Sequence, residues 1–432
     1  MYALYSIVLL LFLLGLGVPV AWSFAGMLAM LTYLYDVNLN TLMLQGFRSL
    51  NSVVLLALPL FIMAGYLMQS GGVAQRLIEF IETLVRGRRG GLGASLVLAS
   101  GLFGAIAGTA SAAVASIGTI MVDPMAQRGY PRAYSSALLG QSSLLGILIP
   151  PSITMILLAV VTQQSVVAFF AATIGPAILL MLGLILVNYL FSGGWLFTET
   201  PPDASEPAAK TSRLRSGARA FPALCMPILI LGGIYGGIFT PTEAAAIAVL
   251  LVVFIGFFIY RDLTLARLRE GLVRSAETTG IIVLILLFSF LIGRILVAEG
   301  VPQDLTEFVT GLVDSPIAIL LIVNLFLIVV GMLIDDVSLT VVIAPLLLPL
   351  VGVADIHPVQ FAAIVACAVV VSANSPPMAP ILYLSCRVGK VVVHQSFRPA
   401  ILLIVLVAIP IQLLTTFIPA ISLFFPRLLG LI

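Results

Sequence analysis

The chain has 432 residues, of which 61% are hydrophobic and only 9% are charged, with a formal net charge of +2. Soluble globular chains carry about 25% charged residues, and the mean hydropathy of +1.22 excludes that class. The small net charge and scattered basic residues argue against nucleic acid as a partner. Apolar runs of about twenty residues are continuous rather than alternating. They predict an all-α polytopic protein surrounded by membrane lipid, and not a transmembrane barrel.

The chain begins with apolar runs that we expect to form scaffold helices within 3–70, in a first half that covers 1–195. A cleavable signal peptide carries positive charge before its apolar stretch, whereas the first basic residue here is Arg48. We therefore expect residues 3–35 to span the membrane. In 73–88, apolar side chains recur at helical spacing, which predicts an amphipathic arm along the inner membrane interface.

The next element, residues 92–127, contains a stretch of small and weakly polar residues, GAIAGTASAA at 104–113. If Arg128 and Arg132 stay on the cytoplasmic side, this element begins and ends on the inner side. The pattern then predicts a re-entrant hairpin with GTASAA near its tip. Unpaired backbone groups at such a tip are tolerated only inside protein or beside water and ions.

A double proline interrupts the following apolar run, where ILIPPSI occupies 147–153 within 133–162. Proline removes a backbone donor and clashes with the preceding turn, so we expect a broken helix. Broken helices in transporters present helix ends and free carbonyls at ion and substrate sites, although a purely structural kink is the alternative. The first half ends with a predicted helix at 165–192.

A polar segment, residues 196–220, separates the two apolar halves, and its basic residues predict a cytoplasmic linker. The second half, 221–432, is expected to repeat the order of elements in the first. Its predicted elements are scaffold helices at 221–298, an outer arm at 301–313, an outer hairpin at 316–355, a broken helix at 359–385 and a last helix at 398–425.

The two halves share an internal repeat with a nearly constant spacing. The matched positions are Gly65 with Gly293, Gly72 with Gly300, and Pro150–Pro151 with Pro376–Pro377. The offset is 228 positions for the glycines and 226 for the prolines. This constancy argues against coincidence and predicts two structural repeats.

The basic residues are distributed differently in the two halves. Arg76 of the first arm corresponds to Asp304 of the second, whereas 35–50 has one arginine and its counterpart 260–275 has four. Cytoplasmic loops are enriched in Lys and Arg, so the two repeats are predicted to have inverted topology, with both termini outside. Inverted repeats are typical of secondary transporters, whose site lies at the repeat interface.

The second hairpin carries two aspartates in the stretch DDVSLT at 335–340. An acidic residue at bilayer depth costs roughly 2.5–3.5 kcal/mol on insertion scales, so Asp335 and Asp336 need a function or a partner. The alternatives are an interfacial position or a structural pair with an arginine such as Arg294. For the small residues of the first tip, close helix packing is an equal alternative.

Oxygen-bearing side chains cluster where the hairpins and broken helices are expected to meet, and hard cations favour such ligands. Ser372, Asn374 and Ser375 lie at the second break. We therefore expect two pseudo-symmetric cation sites with an anionic substrate site between them. The candidate substrate-binding residues are Ser111, Ser152, Ser338, Ser372 and Asn374.

Six stretches together resemble the large membrane subunit of TRAP (tripartite ATP-independent periplasmic) transporters. They are ALPLFIMAG, GAIAGTASAA, LGILIPPSI, GGIYGGIFTPTEAAA, DDVS and NSPPMAP. The resemblance covers essentially the whole chain. It implies a subunit of the bacterial inner membrane that is driven by Na⁺, with two or more ions expected, and that works by an elevator mechanism within the ion-transporter superfamily.

The same resemblance implies three partners. They are a separate small four-helix membrane subunit, a periplasmic substrate-binding protein and an organic acid of the dicarboxylate, sialic acid, sugar acid or keto acid class. It also assigns ion ligands to the hairpin tips and broken helices. These ligands are Gly108, Thr109, Ser111, Ile149, Pro150, Asp335, Asp336, Ser338, Asn374 and Ser375. Thr109 stands where a serine is common in such hairpins, but it keeps the hydroxyl.

Two other transport functions are compatible with the sequence. A standalone ion-coupled anion carrier of the related superfamily is the first alternative, and a channel lined by the two hairpins is the second. An enzyme is not expected, because the sequence shows no nucleophile–histidine–acid set. Asp335 and Asp336 are adjacent, so their side chains diverge by about 100° on a helix, whereas an aspartyl enzyme needs two facing acids.

Overall fold

The computed structural model describes residues 2–85, 89–194, 196–197, 213–376 and 378–432. These residues fold almost entirely into helices, which confirms the predicted all-helical polytopic class. Six of the described helices are long and apolar enough to cross a membrane, and a pair bent by 44° can form a seventh span. The six are Val53–Ser70, Val166–Phe191, Ser216–Tyr235, Pro241–Ile259, Leu265–Ala298 and Val393–Phe417, and the bent pair is Arg132–Leu148 with Ile153–Thr162.

The first half contains a scaffold, an arm, a hairpin and a broken helix, in that order. The scaffold helices are α1 (Tyr2–Gly15), α2 (Val20–Leu34), α3 (Leu39–Leu50) and α4 (Ala57–Ser70), and the arm is α5 (Val73–Val85). The hairpin is α6 (Gly91–Ala107) and α7 (Ala110–Gln127), the broken helix is α8 (Arg132–Ser143), α9 (Leu145–Leu148) and α10 (Ile153–Thr162), and α11 (Val166–Phe191) follows.

The second half has the same order of elements. Its scaffold helices are α12 (Arg213–Tyr235), α13 (Pro241–Phe254, continued by a π-helix to Ile259) and α14 (Leu265–Ala298), and the arm is α15 (Val301–Leu312). The hairpin is α16 (Pro316–Gly331), α17 (Asp336–Ser338), a π-helix (Leu339–Ile343), α18 (Ala344–Leu346) and α19 (Leu348–Val353). The remaining helices are α20 (Pro358–Ser372), α21 (Pro380–Gly389), α22 (Val393–Leu403), a π-helix (Ile404–Ala408), α23 (Ile409–Phe417) and α24 (Pro419–Leu428).

Matched residues make matched contacts in the two halves. A Cβ on Gly104 of α6 would lie 2.5 Å from the Cα of Gly146 in α9, so hairpin and broken helix touch backbone to backbone. A Cβ on Gly331 of α16 would lie 2.5 Å from the Oγ of Ser372 in α20. Small residues therefore let each hairpin approach the broken helix of its own half closely. The recurrence of this contact supports the repeat, whereas its inverted orientation in the membrane stays a prediction.

The arm α5 is tied to the scaffold helices. Gly72, at its start, has a φ of +72°, a conformation that favours glycine. Arg76 Nη1 forms an ion pair with Asp262 Oδ2 at 2.5 Å, and its guanidinium lies 4.1 Å from the centre of the Tyr260 ring. The residues 86–88 that complete the predicted arm lie outside the described part of the chain.

The range predicted for the linker, 196–220, extends too far at its C-terminal end. Helix α12 already begins at Arg213, because RLRSGARA is rich in arginine, leucine and alanine, which favour helix, and it continues directly into the apolar span. The rest of the linker, residues 198–212, lies outside the described residues, as does Pro377 of the second double proline.

The single last helix predicted at 398–425 is also wrong. The structure has a span that begins earlier, at Val393, and ends at Phe417, followed by the separate helix α24. Ile418 leaves the helical conformation, with φ of −116° and ψ of 89°. The reason is Pro419, whose ring disfavours the helical region for the residue before it.

Candidate functional site

The tips of both hairpins line one cavity of about 450 Å³. Its other walls come from the broken helices and from the scaffold helices α4 and α14. Of the predicted site residues, those that line the cavity are Gly108, Thr109, Ser111, Asp335, Asp336 and Ser372. The structure therefore brings together side chains from opposite halves of the sequence.

Gly108 makes the turn of the first hairpin. It has a φ of +64°, and its carbonyl accepts a hydrogen bond from the amide of Ile153 at 3.4 Å. A Cβ at this position would lie 2.6 Å from the carbonyl oxygen of Pro151. Glycine is therefore required both by the backbone conformation and by the contact with the broken helix.

Helix α7 begins directly after this turn, with Thr109 as its N-cap residue. The Thr109 side chain makes no capping hydrogen bond, so its hydroxyl is not committed to the helix. Ser111 lies in the first turn with an exposed side chain and lines the cavity. The first amides of this 18-residue helix carry partial positive charge beside the cavity.

The two aspartates of the second tip have different environments. Asp335 caps α17, because its carboxylate accepts hydrogen bonds from the amide of Ser338 at 3.2 Å and from the Ser338 hydroxyl. Asp336 accepts a hydrogen bond from the hydroxyl of Thr154, on α10 of the other half, at 3.4 Å. Asp335 therefore shapes the tip, and Asp336 links the second hairpin to the first broken helix. Neither of these described residues forms an ion pair with Arg294.

The predicted ligands at the first break lie behind the cavity wall. Residues 149–152 are unwound between α9 and α10. Ser152 is fully buried and its hydroxyl accepts a hydrogen bond from the amide of Met155 at 3.5 Å, which caps α10. Ile149 and Pro150 lie in the break, and neither of them lines the cavity. Ser338, which caps its own tip, is likewise fully buried.

Asn374 lies between the two broken helices and also does not line the cavity. Its Nδ2 donates to Gln141 Oε1 at 2.9 Å, and Gln141 Nε2 donates to the carbonyl of Val370 at 3.3 Å. The Oδ1 of Asn374 is buried and has no hydrogen-bond partner among the described residues. Ser375 differs, because its hydroxyl donates to the carbonyl of Val371 at 2.6 Å.

The donor chemistry around the tips suits a hard cation such as Na⁺. A buried carbonyl oxygen without a partner costs about 1–3 kcal/mol, and a cation at Asn374 Oδ1 would remove that cost. The uncommitted hydroxyl of Thr109 and the carboxylate of Asp336 are further oxygen donors. Across the described residues, no group of three or more His, Cys, Asp or Glu side chains is placed to hold a metal ion.

Sequence reasoning missed the scaffold wall of the cavity and one residue of the first broken helix. Tyr66 of α4 and Thr278 of α14 are joined by a hydrogen bond between their hydroxyls at 2.9 Å, and Arg274 lines the same wall. A polar residue on an otherwise apolar helix could have indicated this wall. In the sequence, Arg274 was used only to decide which side of the membrane its segment faces. Thr154 was missed although it lies two residues after Ser152 of the PPS sequence.

An all-helical membrane protein in which two hairpin tips and two broken helices line one cavity has the architecture typical of secondary transporters. Residues 7–421 match the family model described as "Tripartite ATP-independent periplasmic transporter, DctM component". The chain belongs to this family, as its sequence motifs indicate. Its fold is similar to that of the Alcanivorax borkumensis YdaH transporter, with a TM-score of 0.62, 13% identity and coverage of 92% of this chain and 90% of that one.

Relatives with curated names cover nearly the whole chain but differ in substrate. The chain is 34% identical over 409 residues to the C4-dicarboxylate TRAP transporter large permease protein DctM of Pseudomonas aeruginosa, with 94% of each chain covered. It is 31% identical over 417 residues to the sialic acid TRAP transporter large permease protein SiaM of Vibrio cholerae, with 96% of each covered. It is 31% identical over 413 residues to the isethionate TRAP transporter permease protein DctMQ of Oleidesulfovibrio alaskensis, covering 95% of this chain and 64% of that protein. All three relatives are named as transport permeases rather than enzymes.

Proposed function

We propose that the protein is the large membrane subunit of a Na⁺-driven secondary-active importer of organic acid anions in a bacterial inner membrane, with both termini on the periplasmic side. One observation supports this proposal most strongly: Ser111 of one hairpin tip and Asp336 of the other line the same cavity. A cavity shared by two repeats suits alternating access, in which one site is exposed to each side of the membrane in turn.

Oxygen donors at both tips provide the basis for ion coupling. We infer one Na⁺ site near Gly108 and Thr109, and another near Asp336. Without a cation, Asp335 and Asp336 repel an organic anion in the cavity. A carboxylate about 4 Å from an uncompensated aspartate is destabilised by roughly 4 kcal/mol at an effective dielectric constant of about 20. Bound Na⁺ supplies the compensating charge, so substrate binding depends on the ion.

The cavity also has features that favour a carboxylate substrate. The amides at the start of α7 and the hydroxyl of Ser111 offer hydrogen-bond donors to an anion. Ser372 offers a further hydroxyl at the wall of the second broken helix. The volume of about 450 Å³ falls in the range of small-molecule sites, roughly 300–1,000 Å³. The names of the relatives support the class of organic acids and leave the choice of acid open.

We further propose that transport uses an elevator motion, in which the hairpins and broken helices move together against the scaffold. The close contact of Gly104 with Gly146 supports a single moving unit in the first half. The hydrogen bond between Tyr66 and Thr278 supports a scaffold in which α4 and α14 stay together. Membership of the family supports a small membrane subunit and a periplasmic substrate-binding protein as partners.

The test is uptake into proteoliposomes that contain this protein, the small membrane subunit and the binding protein. An inward Na⁺ gradient is applied or withheld, and labelled succinate, N-acetylneuraminate, isethionate and pyruvate are offered separately. We expect one acid to accumulate only with Na⁺ and the binding protein, and to fail to do so with the Asp336→Asn variant.

Three results would contradict the proposal. Accumulation without the binding protein would favour a standalone ion-coupled carrier. Uptake that only equalises the acid across the membrane, with no dependence on the Na⁺ gradient, would favour a channel. Uptake of none of the acids by the complete wild-type assembly would reject the substrate class.

A further inference from the structure

The scaffold wall of the cavity contains a cationic side chain that the ion and substrate sites proposed above do not use. Arg274 of α14 is the only cationic residue among the described residues that line the cavity, and the acidic ones are Asp335 and Asp336. Four residues further along α14, Thr278 bonds to the hydroxyl of Tyr66 at 2.9 Å. Tyr66, Arg274 and Thr278 form a polar surface, here called the scaffold strip, on the same cavity as the hairpin tips.

The guanidinium of Arg274 is available to a second anion. Its Nη2 pairs with Glu270 Oε1 at 2.6 Å, and both side chains are 58% exposed. Exposed pairs of this i,i+4 type are weak, because water and salt screen them. A guanidinium also carries five N–H donors, so the contact with Glu270 leaves donors for a carboxylate. Arg274 is therefore a cation whose existing partner can be shared or displaced.

The start of α14 lies at the predicted cytoplasmic end of the cavity. Arg267, Arg269 and Arg274 all fall in its first ten residues, and such a cluster of basic residues is typical of the cytoplasmic side. An anion that leaves the hairpin tips toward the cytoplasm therefore passes the scaffold strip.

We propose that Arg274 is an anion-binding residue on the release path, which accepts the substrate carboxylate as it leaves the hairpin tips. This inference rests on the proposed import of an organic acid. When the coupling cations have left, the carboxylates of Asp335 and Asp336 repel the substrate, and Arg274 attracts it from the scaffold. The hairpin tips then bind the acid in the presence of Na⁺, whereas the scaffold strip binds it without Na⁺.

The experiment measures inhibition of uptake by unlabelled acid inside the vesicles. Binding protein added outside activates only those molecules whose periplasmic face points outward, so luminal acid acts on their cytoplasmic end. The probe is the acid that the wild-type assembly accumulates from the panel above. For each variant, the luminal concentration that halves the initial rate of Na⁺-driven uptake is determined, together with the external Na⁺ concentration that gives half-maximal uptake.

We expect Arg274→Gln to raise the half-inhibiting luminal concentration about tenfold, as the loss of one charge-assisted hydrogen bond implies. The external Na⁺ dependence should not change. Arg274→Lys should stay close to the wild type because it keeps the charge. Arg269→Gln is the matched control, since it removes the same charge from the same helix at a residue that does not line the cavity.

A half-inhibiting luminal concentration in Arg274→Gln equal to that in Arg269→Gln would overturn the inference, and so would a change in the external Na⁺ dependence. If Arg274→Gln does not assemble, Glu270→Gln provides the test. It removes the carboxylate that shares the guanidinium, so the half-inhibiting concentration should fall about twofold, and no change would also overturn the inference. Failure of the wild-type assembly to accumulate any acid would instead reject the proposed function, and this inference with it.

Discussion

Replacement of Gly108 by alanine tests whether the first tip must touch the broken helix. The substitution has two costs in this structure. A left-handed φ costs a residue with a Cβ roughly 1–2 kcal/mol, and Gly108 has a φ of +64°. The new Cβ would also lie 2.6 Å from the carbonyl oxygen of Pro151. That atom belongs to the backbone, so the tip itself must move, at an overpacking cost of about 1–3 kcal/mol.

Together these terms predict that Gly108→Ala lowers the free energy of unfolding by about 2–5 kcal/mol. The matched control is Gly101→Ala on α6, the buried helix that ends at this turn. There the new Cβ would lie 3.2 Å from the Cδ1 of Ile149, the end of a flexible side chain, and the backbone needs no left-handed conformation. We expect the control to differ from the wild type by less than about 1 kcal/mol, since alanine also favours helix.

The assay is unfolding of the purified protein in mixed micelles by titration with sodium dodecyl sulfate, followed by circular dichroism. Na⁺-driven uptake should fall in Gly108→Ala and remain in Gly101→Ala, because only the first substitution displaces the tip. Equal unfolding free energies for the two variants would refute the reasoning that Gly108 is fixed by its conformation and by Pro151.

The remaining predictions concern side chains at the tips. Asp336→Asn should lower Na⁺-driven uptake more than about a hundredfold with little loss of stability, because the amide keeps the shape and still accepts from Thr154 but loses the charge. Asp335→Ala should lower the free energy of unfolding by about 1 kcal/mol, since it removes the cap of α17. Thr154→Val should raise the Na⁺ concentration for half-maximal uptake about tenfold, whereas Thr154→Ser should not. Equal Na⁺ dependence in the two Thr154 variants would contradict the role given to the hydroxyl.

The helices that could be predicted are those whose ends carry a strong local signal. The small-residue stretch around Gly108 and the proline pair at Pro150 each interrupt an apolar run, and helices end at both places in the structure. Only one proline, Pro419, indicates the break at Ile418 in the sequence. Other single prolines, such as Pro176, lie inside continuous helices. Whether such a proline breaks a helix depends on what packs around it, which the local sequence does not contain.

The candidate site could be predicted by residue type but not by orientation. Ser111 and Ser338 are both small hydroxyl residues at hairpin tips, yet Ser111 lines the cavity and Ser338 is buried against Asp335. Asn374 was expected to bind substrate, but the structure places it behind the cavity wall, bonded to Gln141. Arg274 was missed because, in a sequence, a charge near the end of a membrane span indicates only which side of the membrane that end faces. The cavity that Arg274 lines forms only when separate helices meet.

The most direct test of the central claim, that the hairpin tips form an ion-dependent substrate site, is the labelling of a cysteine at position 111. Ser111→Cys is made in a background without Cys225, Cys367 and Cys386, and the rate of reaction with a water-soluble maleimide is measured in the complete assembly. Thr119→Cys is the control, because Thr119 is exposed on the same helix but does not line the cavity. Na⁺ together with the transported acid should slow labelling at position 111 and leave position 119 unchanged. Labelling at position 111 that is insensitive to both ligands would contradict the account.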